Sequence, residues 1–119
     1  MGQVREVMAA RLHTVGPEET VGEAVAVMAQ HRIGSVLIME GDRLLGIFTE
    51  RDTVRALSQA HDAARHEIVS WMTHDPKTVA PDTETEDALR TMLDNGFRHL
   101  PVVEDGKVVG MVSMRDLAG

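Results

Sequence analysis

Two short stretches of the sequence place a hydroxyl side chain three residues before a carboxylate. They are Thr49-x-x-Asp52 and Ser113-x-x-Asp116. A carboxylate can accept both hydrogens of a ribose 2′,3′-diol, and a hydroxyl beside the N–H groups of a helix N-terminus can hold a phosphate. The same pattern is typical of a helix N-cap. On local sequence alone the capping interpretation is favoured, and we refer to the two stretches as the first and second corner.

The corners belong to a longer internal repeat. A shift of 64 residues aligns 7–52 with 71–116 without a gap, and ten of those 46 positions are identical. One identical pair is Gly46 and Gly110, which can admit a ligand close to a strand or mark a bulge. A gapless duplication of this length predicts two related structural units that share one core.

The first copy predicts the order β-α-β-β-α. Thr14 and Val15 form a short strand, and Thr20 with Glu23 forms a capping box at the start of a helix. Two apolar runs, split by 40–43, then form a hairpin that leads into the first corner. The second helix follows, with two apolar side chains expected to face inward. The apolar positions of the first helix are Val21, Ala24, Val25 and Met28, and those of the second helix are Val54 and Leu57.

The second copy repeats this order. Its first helix is expected to end at Asn95-Gly96, and Asp105-Gly106 predicts a tight hairpin turn. Its second helix barely begins before Gly119, so either the natural protein continues or this copy borrows packing from a neighbour. The apolar stripe of its first helix is Ala88, Leu89, Met92 and Leu93. We expect an α+β fold with a first repeat at 1–60, a linker at 61–67 and a second repeat at 68–119.

Composition excludes several functions. The net charge of −7 and the three aromatic residues oppose a nucleic-acid surface. The lack of cysteine excludes disulfides and thiolate metal sites and suits the cytoplasm. No signal peptide or membrane-spanning run occurs, so no membrane partner is expected. The six histidines form no i, i+4 pair that would indicate a metal site, and no nucleophile–base set indicates an enzyme.

The repeats resemble a tandem pair of CBS domains (cystathionine beta-synthase domains), also called a Bateman module. The resemblance rests on V-M-x-x-x-x-H/K-T-V at the start of each copy, on I-G-S-V and F-R-H-L-P-V-V, and on the two G-h-h-T/S-x-x-D corners. It implies two β-α-β-β-α repeats packed sheet to sheet with pseudo-two-fold symmetry. It also implies a regulatory module that binds AMP, ADP, ATP or S-adenosylmethionine, needs no other cofactor, and forms a homodimer.

The resemblance further implies two ligand sites, each drawing on both copies. One would combine Asp116, Ser113 and Met111 with His13, Ile33, Gly34 and Ser35. The other would combine Asp52, Thr49 and Ile47 with Lys77, Phe97 and His99. Positive charge for a phosphate would come from Arg51, Arg115, Arg98 and His99. The alternatives are a solvated helix face for the two arginines that precede the aspartates and a buried structural role for the histidine at 99.

The two sites are expected to be unequal, because Gly34-Ser35 in the first copy stands where Arg98-His99 stands in the second. Small residues leave room for a base, so the site of Asp116 is expected to bind better than that of Asp52. Three functions stay open: a sensor of adenosine-containing nucleotides with an effector protein, a dimerisation module with a vestigial cleft, and a regulatory subunit of an enzyme.

Overall fold

The computed structural model describes residues 2–118 of the chain. Within that range no helix is long and apolar enough to cross a membrane. The elements in chain order are β1 (Thr14–Val15), α1 (Val21–His31), β2 (Ser35–Glu40), β3 (Arg43–Thr49), α2 (Glu50–Gln59), β4 (Thr73–His74), α3 (Thr85–Asn95), β5 (His99–Glu104), β6 (Lys107–Ser113) and α4 (Met114–Ala118), with 3-10 turns at Val4–Glu6, Ala63–Arg65 and Ile68–Ser70.

The strands form two sheets with the same internal order. The first sheet runs β1-β2-β3-β4, with β1 parallel to β2 and the other pairs antiparallel. The second contains β5 and β6, flanked by single bridges at Val79–Val102 and Ala9–Met111. Val79 and Ala9 thus occupy, in the second sheet, the positions that β1 and β4 occupy in the first. The fold is α+β with two sheets and four helices, which confirms the predicted fold class and its duplication.

The chain folds into two compact units that do not follow the order of the repeats. One unit consists of residues 13–75, and the other joins the residues up to Leu12 with those from Pro76 onward. In the second, the Val4 N–H donates to the Thr83 carbonyl at 2.9 Å and the Ala9 N–H donates to the Met111 carbonyl at 2.8 Å. The residues before the first β-α-β-β-α repeat therefore pack with the second repeat, and the residues before the second repeat pack with the first. The repeat boundaries at 1–60 and 68–119 describe the sequence and stay a prediction.

Each unit has its own hydrophobic core. In the 13–75 unit, Val21, Ala24 and Met28 of α1 are buried with Phe48 and Ile68, as the stripe of the first helix predicts. The core of the other unit is Val4, Ala88, Met92, Leu100, Val102 and Val112. The hairpin turns also match the sequence. The two turn residues at 105–106 both have positive φ, 52° and 79°, as a two-residue turn of type I′ requires.

Three apolar helix positions expected to face inward are exposed instead. Val54 is 70% exposed, Leu57 46% and Leu93 65%, so these expectations are wrong. The buried positions of α2 are Asp52 and Ala56, one helical turn apart. Because a helix buries one face, the side chains at 54 and 57 lie on the opposite side of α2.

The N-cap of α1 differs from that of α3, and the difference predicts a measurable change in stability. Thr20 accepts from the Glu23 N–H at 3.1 Å, whereas Glu84 at the same repeat position makes no side-chain cap. We expect Thr20→Ala to lower the free energy of unfolding by about 1 kcal/mol. Glu84→Thr should raise it by a few tenths to about 1 kcal/mol, because it installs the missing acceptor. Urea unfolding measures both, and a destabilised Glu84→Thr would contradict the assignment.

Candidate functional site

The first corner begins where β3 runs directly into α2. Thr49 is the N-cap of α2, and the Asp52 N–H donates to its Oγ1 at 3.3 Å. In return, Oδ2 of Asp52 accepts from the Thr49 N–H at 2.9 Å. The two residues thus form a reciprocal capping box, and the capping interpretation is confirmed.

The Asp52 carboxylate makes further contacts that a simple cap does not need. Its Oδ1 accepts from Arg55 Nη2 at 3.3 Å and from Thr73 Oγ1 at 3.3 Å. Arg55 also donates to the Trp71 carbonyl at 2.6 Å. The Asp52 residue is only 6% exposed. Both carboxylate oxygens therefore have protein donors, as a buried charge requires.

The second corner has the same capping geometry, where β6 runs into α4. Oδ2 of Asp116 accepts from the Ser113 N–H at 2.8 Å, and the Asp116 N–H donates to Ser113 Oγ at 3.2 Å. Asp116 is half-buried. Among residues 2–118, no group donates to its Oδ1. This oxygen therefore differs from Oδ1 of Asp52, which accepts from two side chains.

The protein already uses part of the helix N-termini that a phosphate could bind. The Glu50 N–H donates to the Gly34 carbonyl at 3.1 Å, and the Met114 N–H donates to the Arg98 carbonyl at 2.8 Å. The N–H groups of both corner aspartates go to the capping hydroxyls. Two of the first three N–H groups in each helix are thus satisfied internally, which leaves fewer donors for a phosphate than the sequence suggested.

The two corner glycines have a structural reason. A Cβ on Gly46 would lie 2.6 Å from the Thr73 carbonyl oxygen, and a Cβ on Gly110 would lie 2.9 Å from that of Ala9. Glycine is required because the neighbouring backbone approaches each site closely, so these contacts belong to the protein and not to a ligand. The expected bulge lies just before Gly46, where the β2–β3 register shifts so that Leu45 is extra.

The other candidates of the 13–75 unit lie around the first corner. Ser35 pairs with Thr49 across β2 and β3, and it is buried. The Leu37 N–H donates to the His13 carbonyl at 3.0 Å, so this main-chain group forms part of the sheet. The rest of the set is placed as follows: Ile33 packs against the core, Ile47 is buried, Gly34 is half-buried and Arg51 is exposed.

The candidates of the other unit lie on β5, β6 and α4 and in the segments before β5 and α3. His99 is the first residue of β5 and pairs with Ser113. Phe97 packs against the core of its own unit, which gives it a structural role. The remaining members are placed as follows: Met111 lies half-buried on β6, and Arg98, Lys77 and Arg115 are exposed. His99 and Met111 thus share a hairpin with Ser113, as Ser35 and Ile47 do with Thr49, and the pairing of each corner with the other copy stays a prediction.

Metal ligation has no support in the part of the chain that the structure describes. Residues 2–118 contain no group of three or more histidine and acidic side chains that could hold a metal ion. Two imidazoles, those of His13 and His31, have ring centroids 4.2 Å apart. Two ligands alone do not form a structural zinc site, which needs four.

The partners of Asp52 were not among the residues that the motifs predicted. Arg55 is three residues further along α2, so helical spacing could have indicated it. Thr73 lies 21 residues from Asp52 and had no local signal. The internal repeat does mark this position as different between the copies, because Ala9, which has no hydroxyl, stands where the other copy has Thr73.

Comparison with known proteins identifies the repeats. The model of the CBS domain matches residues 4–59 and again residues 65–119. The chain belongs to the CBS-domain family. It contains two CBS domains in tandem, and the two corners occupy equivalent positions within them.

Relatives of this CBS pair include proteins of similar size. An uncharacterised 17.7 kDa protein of Acidianus ambivalens is 42% identical over 118 residues, which cover 98% of this chain and 71% of that protein. The crystal structure of a CBS-domain-containing protein of Agrobacterium tumefaciens is 30% identical, with a TM-score of 0.94, and the match covers 98% of this chain and 97% of the other.

Solved structures of one similar protein contain ligands. The CBS domain pair of protein MJ0100 was solved in complex with 5′-methylthioadenosine and S-adenosyl-L-methionine. It is 26% identical to this chain, with a TM-score of 0.90, and the match covers 98% of this chain and 97% of that pair. A CBS pair of the same fold therefore binds adenosine-containing molecules.

Proposed function

We propose that this CBS pair is a non-catalytic regulatory module that binds an adenosine-containing ligand through its second corner. The ligand class is AMP, ADP, ATP or S-adenosylmethionine. The observation that carries the proposal is the carboxylate of Asp116. It is half-buried and held by Ser113, and among the described residues its Oδ1 has no donor.

The chemistry of that oxygen suits a ribose. A 2′,3′-diol offers two O–H donors, and charge-assisted hydrogen bonds to a carboxylate are about twice as strong as neutral ones. The cap holds the carboxylate in place before the ligand arrives, which lowers the entropy lost on binding. The ligands of the MJ0100 pair both contain adenosine. The relatives' adenosine chemistry and the local geometry of Asp116 support the same ligand class.

A ligand panel tests the proposal. We expect AMP, ADP, ATP, S-adenosylmethionine or 5′-methylthioadenosine to stabilise the protein by about 1.4 kcal/mol at ten times its Kd, because a ligand that binds only the native state shifts unfolding by mass action. Thermal unfolding with each compound ranks them, and IMP serves as the matched control for AMP, because it keeps the ribose and the phosphate and changes the base. No stabilisation by any adenosine compound at millimolar concentration would contradict the proposal.

A second function has one observation in its favour. Val54 and Leu57 share one exposed face of α2, and apolar faces of this kind occur at interfaces between proteins. A dimerisation or interaction module would show a dimer whose stability no nucleotide changes. The same panel, combined with sedimentation analysis, separates this outcome from ligand sensing.

A further inference from the structure

The two corners match in sequence and differ in what surrounds the carboxylate. At Asp52, Oδ2 accepts from the Thr49 N–H at 2.9 Å, while Oδ1 accepts from Arg55 and Thr73, each at 3.3 Å. The residue is 6% exposed. A ribose diol could use this carboxylate only by displacing donors that the protein supplies.

The arginine at the first corner is held in place by its own partners. Arg55 donates to the Trp71 carbonyl at 2.6 Å, and its guanidinium carbon lies 5.7 Å from the centre of the Trp71 ring. That ring is fixed in turn, because Trp71 Nε1 donates to His66 Nδ1 at 2.9 Å and the two rings stack. The same nitrogen, Nη2, donates to the Trp71 carbonyl and to Asp52, so the contacts with Trp71 hold the guanidinium beside the carboxylate.

In the part of the chain that the structure describes, these donors have no equivalent at the second corner. The repeat offset of 64 residues places Ala9 where the first corner has Thr73, and Val7 where it has Trp71. The position of Arg55 corresponds to Gly119, which lies outside the described residues. The backbone is nevertheless equivalent, because Ala9 pairs with Met111 as Thr73 pairs with Ile47. The corners thus differ in side chains and keep the same strand pairing.

We propose that Arg55 and Thr73 close the first corner to ribose, so that each chain binds one adenosine ligand, at Asp116. This inference rests on the proposed function and adds its stoichiometry and the residues that set it. The two corners are related as a closed and an open form of the same carboxylate site. Removing the side-chain donors of Arg55 and Thr73 should allow the first corner to bind the ligand. Adding a donor at the second corner should weaken ligand binding there.

Calorimetric titration with 5′-methylthioadenosine tests the opening. We expect one ligand per chain in the wild type and two in Arg55→Ala/Thr73→Val, since Asp52 then regains a free oxygen. Thr73→Ser keeps the hydroxyl and is the matched control, with one ligand expected. Two ligands in the wild type, or one in a double variant with native circular dichroism, would overturn the inference and leave the proposed function standing. No binding to either protein would overturn both.

A second pair of variants tests the closing at the other corner without touching a buried residue. Ala9 is exposed. Ala9→Thr places a hydroxyl where Thr73 lies at the first corner, and we expect it to weaken 5′-methylthioadenosine binding about tenfold, the effect of one competing hydrogen bond. Ala9→Val has the same shape and no donor, so it should bind as the wild type does. Equal losses in both variants would show that bulk, not the hydroxyl, controls the corner, and would overturn the inference.

Discussion

Asp116→Asn is expected to lower the affinity for adenosine about 100-fold, which corresponds to about 2.7 kcal/mol of binding free energy. The amide removes the charge and places an NH2 donor where the free Oδ1 would accept from the ribose diol. It keeps an oxygen for the Ser113 N–H, which now donates to Oδ2 at 2.8 Å. The helix cap is therefore retained, and the free energy of unfolding should change much less than the binding free energy.

Changing the ligand together with the protein shows which contact accounts for the binding free energy that Asp116→Asn loses. 2′,3′-Dideoxyadenosine lacks both hydroxyls, so we expect it to bind the wild type weakly and to be insensitive to Asp116→Asn. Asp105→Asn is the matched control, because it removes the same charge from an exposed turn of the same unit and Asn tolerates its φ of 52°. If adenosine and its dideoxy analogue lost affinity equally in Asp116→Asn, the carboxylate would not contact the diol.

Gly46→Ala is expected to destabilise the protein by about 3 kcal/mol, the upper part of the usual range for overpacking. The new Cβ would lie 2.6 Å from the Thr73 carbonyl oxygen and 2.6 Å from Met72 Sδ. A methionine side chain can move, but the carbonyl belongs to the β3–β4 pairing, where Gly46 faces His74. Relief of the clash must therefore separate the two strands.

Alanine substitutions at two other glycines should destabilise the protein less, because the added Cβ would lie farther from its neighbours. Gly110→Ala should cost about 2 kcal/mol, because its Cβ meets the Ala9 carbonyl at the longer distance of 2.9 Å. Gly16→Ala should be neutral within about 0.5 kcal/mol, because its nearest neighbour, Glu19 Oε2, lies 3.7 Å away. Urea unfolding of the three variants gives the order directly. Equal stability of Gly46→Ala and Gly16→Ala would contradict the packing argument.

Features encoded by local spacing could be predicted from the sequence. The capping box at Thr20, the buried stripe of α1 and the turn at Asp105-Gly106 all depend on residues within one or two turns of chain. The internal repeat allowed one prediction over a longer distance, because the constant offset between the two copies is enough to identify the corners as equivalent positions.

Features that depend on distant partners could not be predicted. Hydrophobicity places Val54 inward, but Asp52 and Ala56 define the buried face of α2. The aspartate is buried because Arg55 and Thr73 satisfy it, and the threonine comes from 21 residues away. The need for glycine at 46 likewise comes from the segment that carries Met72 and Thr73. The sequence pattern identifies Asp52 and Gly46 as notable residues, and the structure shows which contacts each of them makes.

The division of the chain into units also fixes when each can be completed during synthesis. Every residue of the 13–75 unit is available once Asp75 has left the ribosome. The first twelve residues must wait, because Ala9 pairs with Met111 and Val4 with Thr83. Closing so long a loop carries an entropy cost that grows with its length. The N-terminal segment can therefore find its strand only after Met111 has been made, and Asp116, whose unit that segment completes, becomes a formed site later than the 13–75 unit.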